Sequence, residues 1–317
     1  MPVPTVKLSS GFEMPVLGLG TWQSKPGEVG KAVEIALNNG YTHIDCAWAY
    51  MNQSEIGEVL SKMFASTLKR ENVFITSKVW NTFHSASACK KHVIEILDQL
   101  KLDYIDLMLI HWPMGYEEGG EPFPKRPNSD KMKYSDEDYL TTWKVLEEFV
   151  KDDKIRSIGI SNFNHKQIER LIANSSIKPA VLQVELHPYF QQKKLRAFCK
   201  QHDIVVTAYG SLANPGSAFF RKAGDPDVLT DPTIQKIAAA HNKTPAQIAL
   251  RWAVQQNILV IPKSTSEGRI KENAALFDFE LTDEEMKEID AMDRGWRLVD
   301  LTARDSDHPM FPFLEEY

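Results

Sequence analysis

Short runs of apolar residues alternate with longer amphipathic stretches along most of the chain. The apolar runs contain few polar residues instead of alternating, which is typical of parallel strands buried on both faces. One amphipathic stretch, "GEVGKAVEIALNNG", ends at a glycine that suits a helix C-terminus, and another opens with a capping Thr244 followed by Pro245. The pattern predicts strands at residues 16–20, 42–45, 73–78, 105–111, 155–161, 181–185, 205–209 and 259–262.

Eight strands separated by helices predict a (β/α)8 barrel, of the TIM-barrel class, and we expect residues 1–317 to form one domain. The leading segment "TVKLSSGFEMP" predicts a β-hairpin at the bottom of the barrel. The segments "DPTIQKIAAAH" and "TDEEMKEIDAM" predict two extra helices. Long connections at about 112–134 and 210–230, together with the tail 293–317, are expected to wall a site at the carboxyl ends of the strands.

Composition narrows the class of protein. The net charge of −6 over 317 residues, without a basic stripe, argues against a nucleic-acid partner. No run approaches the length of about 18 apolar residues that a membrane span needs, and the N-terminus lacks the apolar region of a signal peptide. The three scattered cysteines, Cys46, Cys89 and Cys199, have no metal-ligand spacing. We therefore expect a cytoplasmic protein with reduced thiols and no metal.

Titratable side chains end three consecutive predicted strands. Asp45 ends the second, Lys78 the third and His111 the fourth, and Tyr50 follows Asp45 in the next loop. Each residue alone is more often a turn, a cap or a surface charge than a catalytic group. Together they lie at the face of a barrel where active sites form. The set therefore predicts acid–base chemistry there.

The four residues suggest a division of roles. A free tyrosine has a pKa near 10, and a neighbouring ammonium lowers it, so Lys78 is expected to lower the pKa of Tyr50. Asp45 would hold Lys78 charged and oriented. His111 would donate a hydrogen bond to a carbonyl oxygen on which negative charge develops.

Motifs along the chain resemble those of the aldo-keto reductase superfamily, in the aldehyde reductase and aldose reductase-like branch. They include "GLGTW", "HIDCAWAY", "SKVW", "LIHWP", "GISNF", "QVELHP", "TAYGSL" and "IPKS", in family order from about residue 7 to the end. The resemblance implies NADPH-dependent reduction of a carbonyl compound. It also implies that Asp45, Tyr50, Lys78 and His111 are the catalytic tetrad, with Tyr50 as general acid. The histidine at 111 argues against the double-bond-reducing branch, which has a glutamate there.

The segment "IPKSTSEGRIKEN" favours a phosphate site, because Lys263 and Arg269 flank hydroxyl groups where a strand leads into a helix. The chain lacks a Rossmann glycine loop. By resemblance, Lys263, Ser264, Ser266 and Arg269 bind the adenosine 2′-phosphate, and Glu272 and Asn273 contact adenine, so NADPH/NADP+ is the expected cofactor. The remaining cofactor residues implied by the resemblance are Thr21, Trp22, Ser161, Asn162, Gln183, Tyr209, Ser211, Leu212 and Thr265.

One departure from the family pattern concerns the loop after Tyr209. The common "SPLGS" is "GSLAN" here, and an aspartate often found a few residues later is replaced within "NPGSAFF". In relatives that acidic residue helps the loop close over the pyrophosphate. We therefore expect a looser clamp and faster cofactor exchange.

Aromatic residues follow several strands and predict an apolar cleft for a small hydrophobic aldehyde. Trp22, Trp80 and Trp112 are expected to line it, and loop residues are expected to tune selectivity. Arg304 has three interpretations: a solvated side chain, a partner of Asp305 or Asp307, or a fork for carboxylated aldehydes, as in the aldehyde reductase branch. The loop residues are Phe123, Phe219, Phe220, Trp296, Val299 and Leu301.

Other functions remain open at this level. The same residues suit a reductase of ketones, steroids or prostaglandins. The fold also serves non-catalytic cofactor-binding subunits and structural lens-type proteins. We expect a small-molecule carbonyl substrate as the partner and a monomer.

Overall fold

The structure, a computed structural model, describes residues 2–217 and 219–317. Met1 and Ala218, the latter inside the predicted 210–230 connection, lie outside the described residues. A short antiparallel hairpin, β1 (Thr5–Lys7) and β2 (Glu13–Pro15), comes first. Eight strands then follow one another around a parallel sheet in chain order. They are β3 (Leu19–Gly20), β4 (His43–Asp45), β5 (Phe74–Val79), β6 (Ile105–Ile110), β7 (Ile155–Ser161), β8 (Val181–Glu185), β9 (Val205–Tyr209) and β10 (Leu259–Val260).

The first and last strands of the sheet meet and close it into a barrel. Gly18 N–H donates to the Val260 carbonyl at 2.9 Å, and single bridges pair Leu17 with Val260 and Gly20 with Lys263. A Cβ on Gly20 would lie 2.6 Å from the Ile261 carbonyl oxygen, so the seam requires a glycine there. The predicted barrel is confirmed.

The strands at this seam are shorter than predicted. Regular pairing covers Leu19–Gly20 and Leu259–Val260, not all of 16–20 and 259–262. Pro262 has no N–H to donate, so beyond Val260 the pairing is reduced to the Gly20 N–H bond to the Pro262 carbonyl and the single bridge between Gly20 and Lys263. The other predicted strands differ by at most one residue at either end.

Helices surround the barrel and bury their apolar stripes against it. The ring consists of α1 (Val29–Asn38), α2 (Gln53–Phe64), α3 (Ala86–Leu100), α4 (Tyr139–Lys151), α5 (His165–Ala173), α6 (Lys193–Gln201), α8 (Pro245–Gln255) and α9 (Glu267–Ala274). The two extra helices are confirmed as α7 (Pro232–His241) and α10 (Asp283–Asp290), and the tail adds the short α11 (Thr302–Asp305). Thr244 forms a capping box at the start of α8, as its sequence predicts.

The N-terminal hairpin closes the bottom of the barrel. Leu8 and Met14 pack in one buried cluster with Phe74 and Leu107, which lie near the starts of β5 and β6. The long connections lie at the opposite end, where the strands terminate. This arrangement leaves that end of the barrel as the open mouth of the protein.

Three properties of the described part of the chain bear on function. None of its helices has the length and apolar character needed to cross a membrane. Within residues 2–217 and 219–317, no three histidine, cysteine, aspartate or glutamate side chains converge in a way that could hold a metal ion. The three cysteines are buried and free.

Candidate active site

A buried ion pair joins the ends of β4 and β5. Lys78 Nζ lies 2.7 Å from Asp45 Oδ1 and donates to the Cys46 carbonyl at 2.8 Å. The two side chains are 0% and 2% exposed. The second carboxylate oxygen of Asp45 accepts from Gln183 Nε2 at 2.8 Å. Both oxygens of the carboxylate are thus engaged, which fixes Lys78 at one position behind the cavity.

Tyr50 lies in front of this pair, with its hydroxyl 3.5 Å from Lys78 Nζ. Burial of the hydroxyl, with the Asp45 charge and Cys46 adding to it, raises the pKa of Tyr50 well above its ordinary value of 10. The predicted net lowering of the pKa of Tyr50 is therefore not seen. The physical reason is burial: a phenolate at this position would lose its contact with water, and that cost outweighs the effect of Lys78, which lies 2.7 Å from Asp45 and 3.5 Å from the phenol.

His111 completes the group at the end of β6. Its ring lies edge-on to the rings of Tyr50 and Trp80, with centroids 5.9 and 5.1 Å apart. Burial, followed by the charge of Lys78, lowers the pKa of His111 well below 6.5. The imidazole is therefore neutral at pH 7, and one ring nitrogen carries a hydrogen that can be donated.

A network of amide and hydroxyl groups lies across the barrel mouth from Tyr50. Asn162, in the left-handed conformation with φ of 62°, donates to the His111 carbonyl at 3.0 Å and accepts from the Tyr209 hydroxyl at 2.7 Å. Ser161 Oγ donates to the Gln183 carbonyl at 2.8 Å. These contacts tie β7, β8 and β9 to the chain carrying His111, so the wall is rigid.

One cavity of about 910 Å³ joins these groups to the phosphate-type segment. Of the predicted residues, Lys78 lies behind Tyr50, and Ser266 precedes α9 outside the cavity wall, so direct contact of Ser266 with a cofactor stays a prediction. Trp296 also lies outside the wall, against His187 and Tyr189. The predicted residues that line the cavity are Thr21, Trp22, Asp45, Tyr50, Trp80, His111, Trp112, Phe123, Ser161, Asn162, Gln183, Tyr209, Ser211, Leu212, Phe219, Phe220, Lys263, Ser264, Thr265, Arg269, Glu272, Asn273, Val299, Leu301 and Arg304.

The sequence interpretation missed several lining residues. Gln23 and Asn214 come from loops, and Leu229 comes from the short 3-10 helix Val228–Thr230. Thr244 and Pro245 also line the cavity. Their helix-start signal was recognisable, and a helix N-terminus at a phosphate-type site is itself a functional signal.

The far end of the cavity carries two cations, Lys263 and Arg269, that form no ion pair with a carboxylate among the described residues. Lys263 Nζ donates to the Gln23 carbonyl at 3.3 Å, and Arg269 Nε donates to Ser264 Oγ at 3.4 Å. These bonds leave most of the N–H groups of both cations free to bind a ligand. Two cations held close together with free donors suit a phosphate.

The surroundings of these cations favour an anion as well. Desolvation lowers the pKa of Lys263, and the charge of Arg269 adds to this shift against the opposing Glu28 carboxylate. Further along the wall, the buried Ser211 hydroxyl has no hydrogen-bond partner among the described residues. A ligand that carries phosphate groups fits this set of residues.

Aromatic and apolar side chains form the wall near His111. Trp80, Trp112, Val299 and Leu301 belong to one buried cluster there. Trp80 Nε1 donates to the Pro122 carbonyl at 2.6 Å, which fixes the indole in the wall. This end of the cavity is therefore apolar apart from the catalytic-type groups at its base, as an aldehyde-binding cleft requires.

Arg304 reaches the same wall from the tail. Its Nε donates to Asp305 Oδ2 at 2.8 Å and one Nη donates to the Tyr116 hydroxyl at 3.0 Å. Of the interpretations given above, pairing with Asp305 is the one these contacts show, and Asp305 is fully buried. The guanidinium still lines the cavity. Pairing with Asp305 and access to the cavity therefore occur together.

The loop after β9 reaches across the cavity and contacts Trp22, which follows β3. The Trp22 ring lies 5.6 Å from the Phe220 ring and 6.3 Å from the Phe219 ring, between centroids. Ala213 and Asn214, at the base of this loop, have positive φ angles of 52° and 41°. The cavity is therefore bridged by aromatic side chains, and the rate at which this loop opens stays a prediction.

Comparison with known proteins agrees with the fold and the site. A model described as the aldo/keto reductase family matches residues 16–294. Aldo-keto reductase family 1 member A1 of Gallus gallus is 43% identical, with 98% of both chains covered, and that of Rattus norvegicus is 41% identical, with both chains covered in full. A solved structure of the aldose reductase from Schistosoma japonicum superposes with a TM-score of 0.93 at 42% identity, covering 99% of this chain and 100% of that one. The chain therefore belongs to the aldo-keto reductase family of carbonyl-reducing oxidoreductases.

Proposed function

We propose that this protein is an NADPH-dependent aldehyde reductase in which Tyr50 is the general acid. The observation that carries the proposal is the position of the Tyr50 hydroxyl, which lies 3.5 Å from the buried Lys78–Asp45 pair and next to His111 at the base of one large cavity. The reduced nicotinamide, when bound, supplies the hydride. The residues of the chain orient the carbonyl compound and supply the proton.

The raised pKa of Tyr50 is compatible with this role. It keeps the phenol protonated at pH 7, so the acid form is always present. The alkoxide that forms from a carbonyl is a stronger base than a phenolate and takes the proton from Tyr50. Lys78 then stabilises the phenolate, because its ammonium is already held beside the hydroxyl. The neutral His111 donates a hydrogen bond to the same oxygen and fixes its direction.

The cofactor preference rests on the two cations at the far end of the cavity. Lys263 and Arg269 would bind the 2′-phosphate that distinguishes NADPH from NADH, with Ser264 between them. Ser161, Asn162, Gln183 and Tyr209 would hold the nicotinamide end. An Arg269→Met variant should raise the KM for NADPH about tenfold or more and leave that for NADH unchanged. Lys271→Met, in the same helix but paired with Glu267, is the matched control.

The test of the reaction itself is NADPH oxidation with 4-nitrobenzaldehyde. Tyr50→Phe should lower kcat by about a hundredfold to ten-thousandfold, the range that general acid catalysis contributes, while NADPH binding persists. Tyr41→Phe removes another buried hydroxyl, one that donates to the Ile270 carbonyl, and should leave kcat unchanged. A Tyr50→Phe enzyme as active as the wild type contradicts the proposed acid.

A preference for carboxylated aldehydes is a second proposal, favoured by Arg304 in the cavity wall. One edge of its guanidinium donates to Asp305, and the side chain also lines the cavity. Arg304→Ala should raise the KM for glucuronate and spare a neutral aldehyde. Arg126→Ala, which removes an arginine paired with Asp307 on the protein surface, serves as the control. Equal changes for both substrates would refute the preference.

We also propose that the protein acts in the cytoplasm as a monomer on a small-molecule carbonyl compound. Three buried free thiols support a reducing compartment. Sedimentation of the purified protein tests the monomer directly.

A further inference from the structure

A buried carboxylate at the end of β8 holds the tail of the chain in place. Glu185 is 1% exposed, and its two oxygens accept the backbone N–H groups of Leu298 and Val299 at 2.6 and 2.7 Å. His187 Nε2 lies 3.0 Å from the same carboxylate. Among the described residues, Glu185 is the only acceptor for these two buried N–H groups.

The segment that Glu185 holds is also anchored upstream, where the N–H groups of Arg294 and Trp296 donate to the Tyr189 carbonyl at 3.1 Å, but at residues 298 and 299 Glu185 is the acceptor. No helix or strand covers the described chain between Asp290 and Thr302. Val299 and Leu301 nevertheless belong to the wall of the cavity near His111. A charge-assisted pair of hydrogen bonds to consecutive N–H groups fixes both the position and the direction of such a segment.

Glu185 also contacts the cofactor side of the cavity. It pairs with Tyr209 across the neighbouring strands, and a Cβ on Gly210 would lie 3.8 Å from its Cγ. One side chain therefore joins the wall that carries Tyr209 to the wall that carries Val299. The distance between the two walls limits the size of the substrate that the cavity can hold.

We propose that Glu185 is a positioning residue for substrate selectivity, which acts by holding Val299 and Leu301 against the bound carbonyl compound. The proposal rests on the aldehyde reductase activity proposed above. Glu185 touches no reacting atom in this scheme. Its loss should therefore weaken binding of substrates large enough to reach Val299 and should spare small ones.

The experiment compares Glu185→Gln with a matched variant, Glu147→Gln. Glu147 is also buried and also accepts two consecutive backbone N–H groups, those of Ser176 and Ile177 at 2.6 and 2.7 Å, but these lie away from the cavity. A glutamine offers one acceptor oxygen and turns an NH2 group toward the second N–H. Glu185 accepts with both oxygens and so loses one of its two bonds, whereas both N–H groups at Glu147 contact the one oxygen Oε1 and can keep their acceptor in Glu147→Gln. Glu147→Gln therefore controls for the loss of a buried charge.

We expect Glu185→Gln to raise the KM for 4-nitrobenzaldehyde about tenfold, the effect that a misplaced apolar group has in a hydrophobic pocket, with kcat and the KM for propanal unchanged. Glu147→Gln should change neither KM. Backbone amide exchange at Leu298 and Val299 should be faster in Glu185→Gln only. If Glu185→Gln does not fold, Glu185→Asp replaces it in the same comparison. Aspartate keeps the charge, but its side chain is one methylene shorter.

A double-mutant cycle with Val299→Ala identifies the route of the effect. If Glu185 acts through the wall, the selectivity of Glu185→Gln with Val299→Ala should equal that of Val299→Ala alone. Additive effects, or equal KM changes for both aldehydes, overturn the inference. A wild-type protein that reduces neither aldehyde instead overturns the proposed function, so the two failures are distinct.

Discussion

Removing the Asp45 charge should destabilise the barrel as well as stop the reaction. In Asp45→Asn, Lys78 stays fully buried but loses its counter-charge. The two oxygens of Asp45 accept from Lys78 and from Gln183, so an asparagine must turn its NH2 group toward one of these two donors. Breaking a buried pair from one side costs about 3–5 kcal/mol of unfolding free energy, and we expect a loss in that range.

A double variant separates charge from catalysis. Asp45→Leu combined with Lys78→Met removes both charges and fills a similar volume. Replacing a buried pair by apolar side chains is often neutral, but Gln183 loses its acceptor, so the double variant should lose only about 1–3 kcal/mol, less than Asp45→Asn. It should nevertheless be inactive, because no ammonium remains beside Tyr50 to stabilise the phenolate.

The assay is urea unfolding followed by tryptophan fluorescence, with NADPH oxidation measured on the same preparations. Glu58→Gln is the control, because Glu58 pairs with Lys101 at 2.6 Å on the exposed surface and its loss should leave the unfolding transition unchanged. If Asp45→Asn is as stable as the wild type, or the double variant is as unstable as the single one, the two buried charges do not depend on each other and the expected coupling is refuted.

Two further predictions concern pH and the cofactor loop. Burial lowers the pKa of His43 to about 4 and that of His84 to about 3. As pH falls below 6.5, the unfolded chain therefore binds more protons than the folded one. Each residue should lower the unfolding free energy by roughly 2 kcal/mol between pH 6.5 and 5. His84→Leu should make the measured unfolding free energy less steep with pH across this range, and an unchanged slope would count against the assignment. Because the loop has "NPGSAFF" where relatives often have an aspartate, and Lys263 forms no ion pair with a described residue, stopped-flow release of NADP should be faster than in acidic-loop relatives. Release as slow as in those relatives would contradict this.

Much of the site was predictable because its residues end strands that are otherwise apolar. Asp45, Lys78 and His111 are titratable groups at the ends of buried runs, and parallel strands bring such ends together. The sequence pattern therefore located the acid–base residues and the mouth of the barrel without any interatomic distance being known. The extra helices and the N-terminal hairpin followed from similar local signals.

The rest depends on distances that local patterns do not contain. The direction of the pKa shift of Tyr50 depends on the burial of its hydroxyl and on the charge of Asp45 beside it. The contact of Glu185 with Leu298 joins residues 113 positions apart, across a segment with no periodicity. Such contacts arise only when the barrel has formed, so no window of the sequence carries them.

The seam between β3 and β10 has a consequence for how the protein is made. Leu17 and Gly20 are synthesised near the start of the chain, whereas Val260 and Lys263 emerge near its end. Until then one side of β3 has backbone groups without a partner, which is the kind of open strand edge that joins other chains. A chain that stops before residue 259 would keep this edge and also lack Lys263 and Arg269. Incomplete products of translation are therefore expected to aggregate and to gain nothing from the cofactor, which stabilises only completed molecules.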